Sequence, residues 1–226
     1  MAAHRLLPGT VPAVLALSFN AFVWGVAWWP LRWLQGHGLH PLWATAGVYL
    51  LAVAALTLAR PRAWAELVRT PALWWLVLAA GTTNACFNWA VTVGDVVRVV
   101  LLFYLMPLWA VGLARLLLGE RLTPLAALRI ALALAGAAIV LQPAGGGWPW
   151  PREFADWLGV LGGFSFALNN VLLRREAARS SAARALAMFG GGALVAAGVA
   201  TLLALQGSVA PPPAPALGWL AGAAVI

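Results

Sequence analysis

The sequence predicts an all-α membrane protein built as an inverted repeat of five-helix bundles, with about eight helices present and the second copy incomplete. Three observations predict it: long charge-free runs, arginines gathered in alternate loops, and two stretches of internal similarity lying an odd number of helices apart. Of 226 residues 63% are hydrophobic and only 9% charged, and a water-soluble domain of that make-up would expose large apolar patches. Lipid is therefore the solvent for most of the surface.

A spanning helix needs about 20 apolar residues to cross roughly 30 Å of hydrocarbon. Charge-free runs of that order extend over Leu6 to Leu31, Trp33 to Ala59, Thr70 to Gly94, Ile130 to Pro151 and Ala185 to Ile226. Val99 to Ala114 and Trp157 to Leu173 reach only about 24 to 26 Å, so the arginines beside them must snorkel or face protein. Helices are expected near 11–32, 43–59, 72–93, 96–117, 124–142, 155–175 and 185–205, with an eighth entered at Ala214. The first run is too long for a cleavable signal and reads as a retained helix. Pro211, Pro212 and Pro213 favour an extended outer loop. Trp28, Trp29, Trp33, Trp43, Trp148, Trp150 and Trp157 fall at the outer ends and Trp64, Trp74 and Trp75 at the inner ends, an aromatic belt at both interfaces. Cys86, the one cysteine, reads as packing in an apolar stretch.

A net charge of +8 can signal nucleic-acid binding, but the positions of the charges argue against it. Arg60, Arg62 and Arg69 share one loop, Arg115 and Arg121 a second, and Arg174, Arg175, Arg179 and Arg184 a third; the intervening segments hold Arg32, Arg98 and Arg152. This asymmetry follows the positive-inside rule and puts the N-terminus in the cytoplasm.

Val23 to Arg32 (VWGVAWWPLR) lies over Ser165 to Arg174 (SFALNNVLLR), and Pro71 to Leu76 (PALWWL) over Pro215 to Leu220 (PALGWL). The copies are displaced by an odd number of helices, so the second enters the membrane upside down, the arrangement of alternating access around a midplane site. The boundaries expected are 1–142 for the first repeat, 143–154 for an outer linker and 155–226 for an incomplete second repeat. By analogy with the first half, roughly 55 to 60 further residues are expected beyond Ile226.

Tyr104 to Thr123 (YLMPLWAVGLARLLLGERLT) resembles the EamA-type repeat of the drug/metabolite transporter superfamily. Its marks are Pro107, the turn Leu118, Gly119, Glu120, Arg121, then Thr123, Ala135 and Gly136. Phe87 to Pro107 is similar to a subset of these proteins, and Phe164 to Arg175 to the family's sixth helix. Arg129 departs from the pattern, standing where the repeat usually has glycine. The resemblance implies a ten-helix architecture, export of amino acids, nucleosides, sugars or drugs, and a multi-pass place in the bacterial cytoplasmic (inner) membrane. Elementary chemistry accounts for the turn as well: Gly119 can take φ > 0 to end a helix, Thr123 can cap the next, and Pro124 suits its first position.

The candidate substrate path is read from polar and aromatic stripes. Asn84, Asn88 and Thr92 recur at steps of four, a face for interhelical hydrogen bonds or for substrate. Asn20, Trp24 and Trp28 form a similar stripe on the first helix, able to stack on a ring or a cation. Arg98, costly in lipid, either pairs with Asp95 three residues earlier or grips a substrate carboxylate or phosphate. Pro107 removes the backbone bond to Phe103 and can kink its helix between Tyr104 and Trp109, which complete the path candidates. Glu120 reads as fixing its turn beside Arg121. Asn169 and Asn170 read as snorkelling caps near the inner end, and Asp95 is the candidate for proton coupling.

The chain contains no lysine, so it has no GxxxxGK phosphate cradle for direct ATP-driven pumping. An intramembrane enzyme would need a nucleophile with its base, or a metal cluster, within the bundle; His4 is in the tail, and His37 and His40 share an outer loop without further ligands. A helical scaffold subunit is the third reading and needs no polar stripe. No cofactor or metal is expected; the expected partners are a small-molecule substrate, the bilayer and optionally a second copy of the chain.

Overall fold

The computed structural model describes residues 10–120, 123–142, 150–216 and 218. Among them are ten helices: α1 (Thr10–Val26), α2 (Trp28–Gly36), α3 (Pro41–Ala59), α4 (Ala63–Arg69), α5 (Pro71–Val93), α6 (Val96–Phe103), α7 (Met106–Leu118), α8 (Pro124–Val140), α9 (Phe154–Arg175) and α10 (Ser181–Leu205). No strand occurs among the described residues. Val14–Gly36, Pro41–Ala59, Pro71–Val93, Val96–Leu118 and Ser181–Leu205 are long and apolar enough to cross a membrane; α8 is apolar but shorter, at 17 residues.

Two expected helices are each broken in two, both at proline. Pro30 has no N–H for the Val26 carbonyl, and the break falls at Ala27 between α1 and α2. The first crossing also runs on to Gly36, beyond the expected end at 32. Pro107 withholds its bond from Phe103, and the break falls at Tyr104 and Leu105, between α6 and α7. Helix ends follow local chemistry: Thr123 Oγ1 accepts from Ala126 N at 3.2 Å, Ser180 Oγ from Ala183 N at 3.2 Å, and Gly119 ends α7 at φ 69°, where a Cβ would be strained. Ser180 caps the start of α10, a turn earlier than the expected 185. Helix α4 replaces an expected loop; its Ala63 and Leu67 are buried while Glu66 is half-buried and Arg69 exposed, an amphipathic turn lying at the interface. Of the expected eighth helix only 214–216 and 218 are described; the rest of it, residues 143–149 of the outer linker and Arg121 lie outside the described residues.

Helix α5 sits at the centre, packed on α3, α9 and α10, with α2 and α6 beside it; α10 also packs on α3, and α9 on α6 and α7. Where α5 crosses α10, a Cβ on Gly81 or Gly191 would run into the facing backbone, so this approach requires glycine on both helices. Helix α9, with Asp156, Asn169 and Asn170, is tolerated in the bundle because protein surrounds it. By contrast α8 buries no residue, and α1 is exposed along most of its length.

Contacts at the helix ends sort into two faces. At one, Arg32 Nη2 donates to Gly94 O at 2.6 Å, Arg98 pairs with Asp156 at 2.9 Å, and Trp43 Nε1 donates to Ala210 O at 3.2 Å. At the other, Glu66 meets Ser180 and Glu120 meets Arg174. The end of α2 and the start of α9 therefore share a face, so the first crossing and α9 run in opposite directions.

Candidate functional site

The stripe on α5 does not act as a unit. Thr92 Oγ1 turns back onto Asn88 O at 2.5 Å, a local bond that satisfies the hydroxyl. Asn84 and Asn88 instead reach α3: Tyr49 Oη donates to Asn84 Oδ1 at 2.5 Å, and Asn88 Nδ2 donates to Thr45 Oγ1 at 3.1 Å. Asn84 Nδ2 closes on Ala80 O at 2.8 Å, so both heteroatoms of this amide have a partner, whereas Asn88 is bonded through Nδ2 alone.

Beside these bonds a cavity of about 210 Å³ opens between α1, α2, α3 and α5. Trp24 and Val23 of α1, Trp29 and Leu34 of α2, Thr45, Val48 and Tyr49 of α3, and Asn88 of α5 line it. Trp24 is held in place by Phe87, ring centroids 5.0 Å apart, and Phe87 in turn lies edge-on to Phe103 at 4.8 Å. The result is a mostly apolar hollow with a few convergent polar groups, the usual make-up of a small-molecule site.

Of the expected path residues, Trp24 and Asn88 meet in this cavity, and Asn84 supports it through Tyr49. The others lie elsewhere. Asn20 is exposed on α1 and Tyr104 is 56% exposed at the proline break. Trp109 packs edge-on against Phe164 at 5.7 Å between α7 and α9, and its buried Nε1 has no partner. Tyr49 and Thr45 are not among the residues the sequence singles out, although a hydroxyl in a charge-free run must find a bond inside the bundle, and that is the signal that could have found them.

Arg98 is not paired as expected. Its guanidinium Nε lies 2.9 Å from both oxygens of Asp156 on α9, and Nη2 donates to Trp150 O at 2.9 Å. Asp95 instead caps α6, accepting from Arg98 N at 2.7 Å, and stays exposed. Asp156 is 2% exposed and also accepts from the backbone of Arg152 and Glu153, at 2.8 and 3.3 Å; donors from three residues fix the carboxylate in position. Arg32 makes a second tie at this face, donating to Val91 O at 3.2 Å and to Gly94 O while lying over the Trp28 ring.

At the opposite face Glu120 pairs with Arg174 of α9, so it joins two helices in addition to sitting in its turn. Glu66 accepts from Ser180 N at 3.0 Å and from its hydroxyl, and these bonds hold the Glu66 carboxyl below its ordinary pKa. Asn169 is buried, with its amide oxygen unpartnered, a correction to its expected role as a snorkelling cap. His40 is not simply solvated: Nδ1 accepts from Leu42 N at 3.2 Å, the ring lies edge-on to Trp89 at 5.1 Å, and burial lowers its pKa. Among the described residues no group of three or more His, Cys, Asp and Glu side chains is placed to hold a metal ion.

Comparison with known proteins fits this picture. The chain is 36% identical over 115 residues to the chloramphenicol-sensitive protein RarD of Pseudomonas aeruginosa, covering 47% of this chain and 38% of that one. It is 31% identical over 171 residues to protein RarD of Streptomyces exfoliatus, covering 71% of this chain and 51% of that one. The chain thus spans about half the length, or less, of these relatives. No solved structure matches it. The profile of the EamA-like transporter family matches residues 11–142, more than half of the chain. With the proline break at 107, the Gly119 turn and the helical bundle agreeing with that match, the chain belongs to the EamA-like transporter family of the drug/metabolite transporter superfamily.

Proposed function

We propose that the chain forms the membrane body of a secondary transporter that exports small metabolites, such as amino acids or aromatic and amphipathic compounds. It works by alternating access between two oppositely oriented repeats, 1–142 and 155–226, joined by the linker 143–154. One observation carries this reading: Trp24 of α1 and Asn88 of α5, distant in sequence, line a single cavity inside the bundle. The opposite directions of the first crossing and α9 support the inverted arrangement. The arginine-rich loops support a cytoplasmic N-terminus in the bacterial inner membrane, since α4 and the start of α10, which carry them, lie at one face.

The test is flux of a panel of labelled amino acids and aromatic amphiphiles into proteoliposomes holding the full-length protein. At least one solute should move faster than in empty vesicles, and Asn88→Leu should cut that flux about tenfold or more while leaving the protein in the membrane. Flux across the whole panel no faster than in empty vesicles would remove the transporter reading and leave a scaffold or an enzyme.

A further inference from the structure

Three polar clusters among the described residues are the strongest candidates for a ligand: the Arg98–Asp156 pair, the Asn169 amide, and the Thr45–Asn88 edge of the cavity. The first is saturated by its own partners and the Asn169 oxygen is sealed from solvent, so only the third opens onto space for a ligand.

We infer that this cavity selects uncharged, ring-bearing solutes carrying a hydrogen-bonding group, and turns away cations, anions and zwitterions of the same size. The inference rests on the transporter reading and narrows it. Asn88, which lines the cavity, spends one amide hydrogen on Thr45, and no described residue pairs with its amide oxygen, so an acceptor and a second N–H are left uncommitted at the cavity wall. Trp24, fixed on Phe87, presents an aromatic wall for a ring. The Tyr49 hydroxyl is committed to Asn84 and leaves the ring as further apolar surface.

None of the lining residues bears a formal charge. Of the arginines at the neighbouring face, Arg32 is held by two carbonyls and the Trp28 ring and Arg98 by Asp156 and the Trp150 carbonyl, while Arg152 is exposed and does not line the cavity. A charged solute entering here sheds water and meets no counter-charge, a loss that ring contacts and one amide do not offset. A neutral solute gives up little water and gains both the amide bonds and the aromatic wall. A free amino acid, with two charges to satisfy, falls on the unfavourable side.

Four probes of nearly equal size separate the cases: indoleacetamide (neutral), tryptamine (cation), indoleacetate (anion) and tryptophan (zwitterion). Binding to the full-length protein in nanodiscs should be at least about tenfold tighter for indoleacetamide than for each of the others. Asn88→Asp places a carboxylate in the cavity and should raise tryptamine affinity at least about tenfold while leaving indoleacetate the weakest. If that variant fails to reach the membrane, Val48→Asp, at another lining position, should give the same reversal. A charged probe that binds the unaltered protein as tightly as indoleacetamide overturns the inference, as does a carboxylate variant indifferent to tryptamine. Should none of the four bind while the flux panel still shows carried solutes, the inference falls and the transporter reading stands; absence of all flux removes the transporter reading itself.

Discussion

The first crossing, Val14–Gly36, and α5 are alike by the measures a hydropathy plot uses: each has 23 residues, with mean hydropathy 1.4 and 1.2. Yet over an 18-residue apolar stretch of each, 6% of the first is buried in the bundle and 72% of the second. Small and polar residues in register make the difference. Gly81 lets α5 approach α10, and Asn84 and Asn88 give it bonds to α3 that lipid could never supply. In the first crossing Ser18 and Asn20 are exposed and neither makes a bond to another described helix, and a Cβ added at Gly25 would meet nothing within 4 Å. Hydropathy says that a helix enters the bilayer; the polar and glycine stripe says whether it faces lipid or protein.

The sharpest way to break that contrast is a pair of glycine substitutions. Gly191→Leu forces a side chain into the Val77 carbonyl and should cost more than about 4 kcal/mol, seen as loss of the monodisperse peak in detergent chromatography. Gly25→Leu should leave the peak in place. Equal behaviour of the two would mean that α5 and α1 are not differently embedded.

The two interhelical ion pairs give the next largest effect. Asp156→Ala strands Arg98, which is 26% exposed, and should lower stability by about 3 kcal/mol. Glu120→Gln at the opposite face, where the partners are 59% and 45% exposed, should stay within about 0.5 kcal/mol. Thermal unfolding in one detergent compares them directly.

A smaller effect follows pH. His40 titrates below its ordinary value of 6.5 in the folded protein because burial disfavours its charge. The stability it contributes is present above that ordinary value and lost as pH falls through it toward the lower folded value, since the unfolded chain takes up the proton first. Protonation also removes the Nδ1 lone pair that caps α3. His40→Asn, which keeps an N-cap acceptor, should flatten this part of the pH–stability curve. Smallest of all, Leu15→Ala on the exposed flank of α1 should change unfolding by less than about 0.5 kcal/mol.

Much of this is legible in the sequence because it is local. Pro107, Gly119, Thr123 and Pro124 act on their immediate neighbours, and each does in the structure what its chemistry requires. The Pro30 break follows the same rule and is open to the same reading. Partners far apart in the chain are not legible. The rule that residues three apart on a helix meet points Arg98 at Asp95, whereas a better-placed carboxylate arrives from α9 and Asp95 has a backbone N–H to cap. Trp24 and Asn88 stand out one helix at a time; that they share a cavity with Thr45 and Tyr49 depends on how α1, α3 and α5 come together, which periodicity does not encode. Asn20 and Tyr104 are polar and aromatic candidates of the same kind but are exposed, the first on α1 and the second at the break between α6 and α7.

The most direct measurement is cysteine accessibility at mid-membrane depth on one helix, in a Cys86→Ala background. Val48→Cys places a thiol on the cavity wall and Leu51→Cys one on the exposed side of the same helix. A water-soluble, membrane-impermeant thiol reagent should modify the first in the full-length protein, be slowed there by a bound solute, and leave the second untouched. Equal labelling at both positions, or none at Val48→Cys, would contradict a water-reachable solute cavity between α1, α2, α3 and α5.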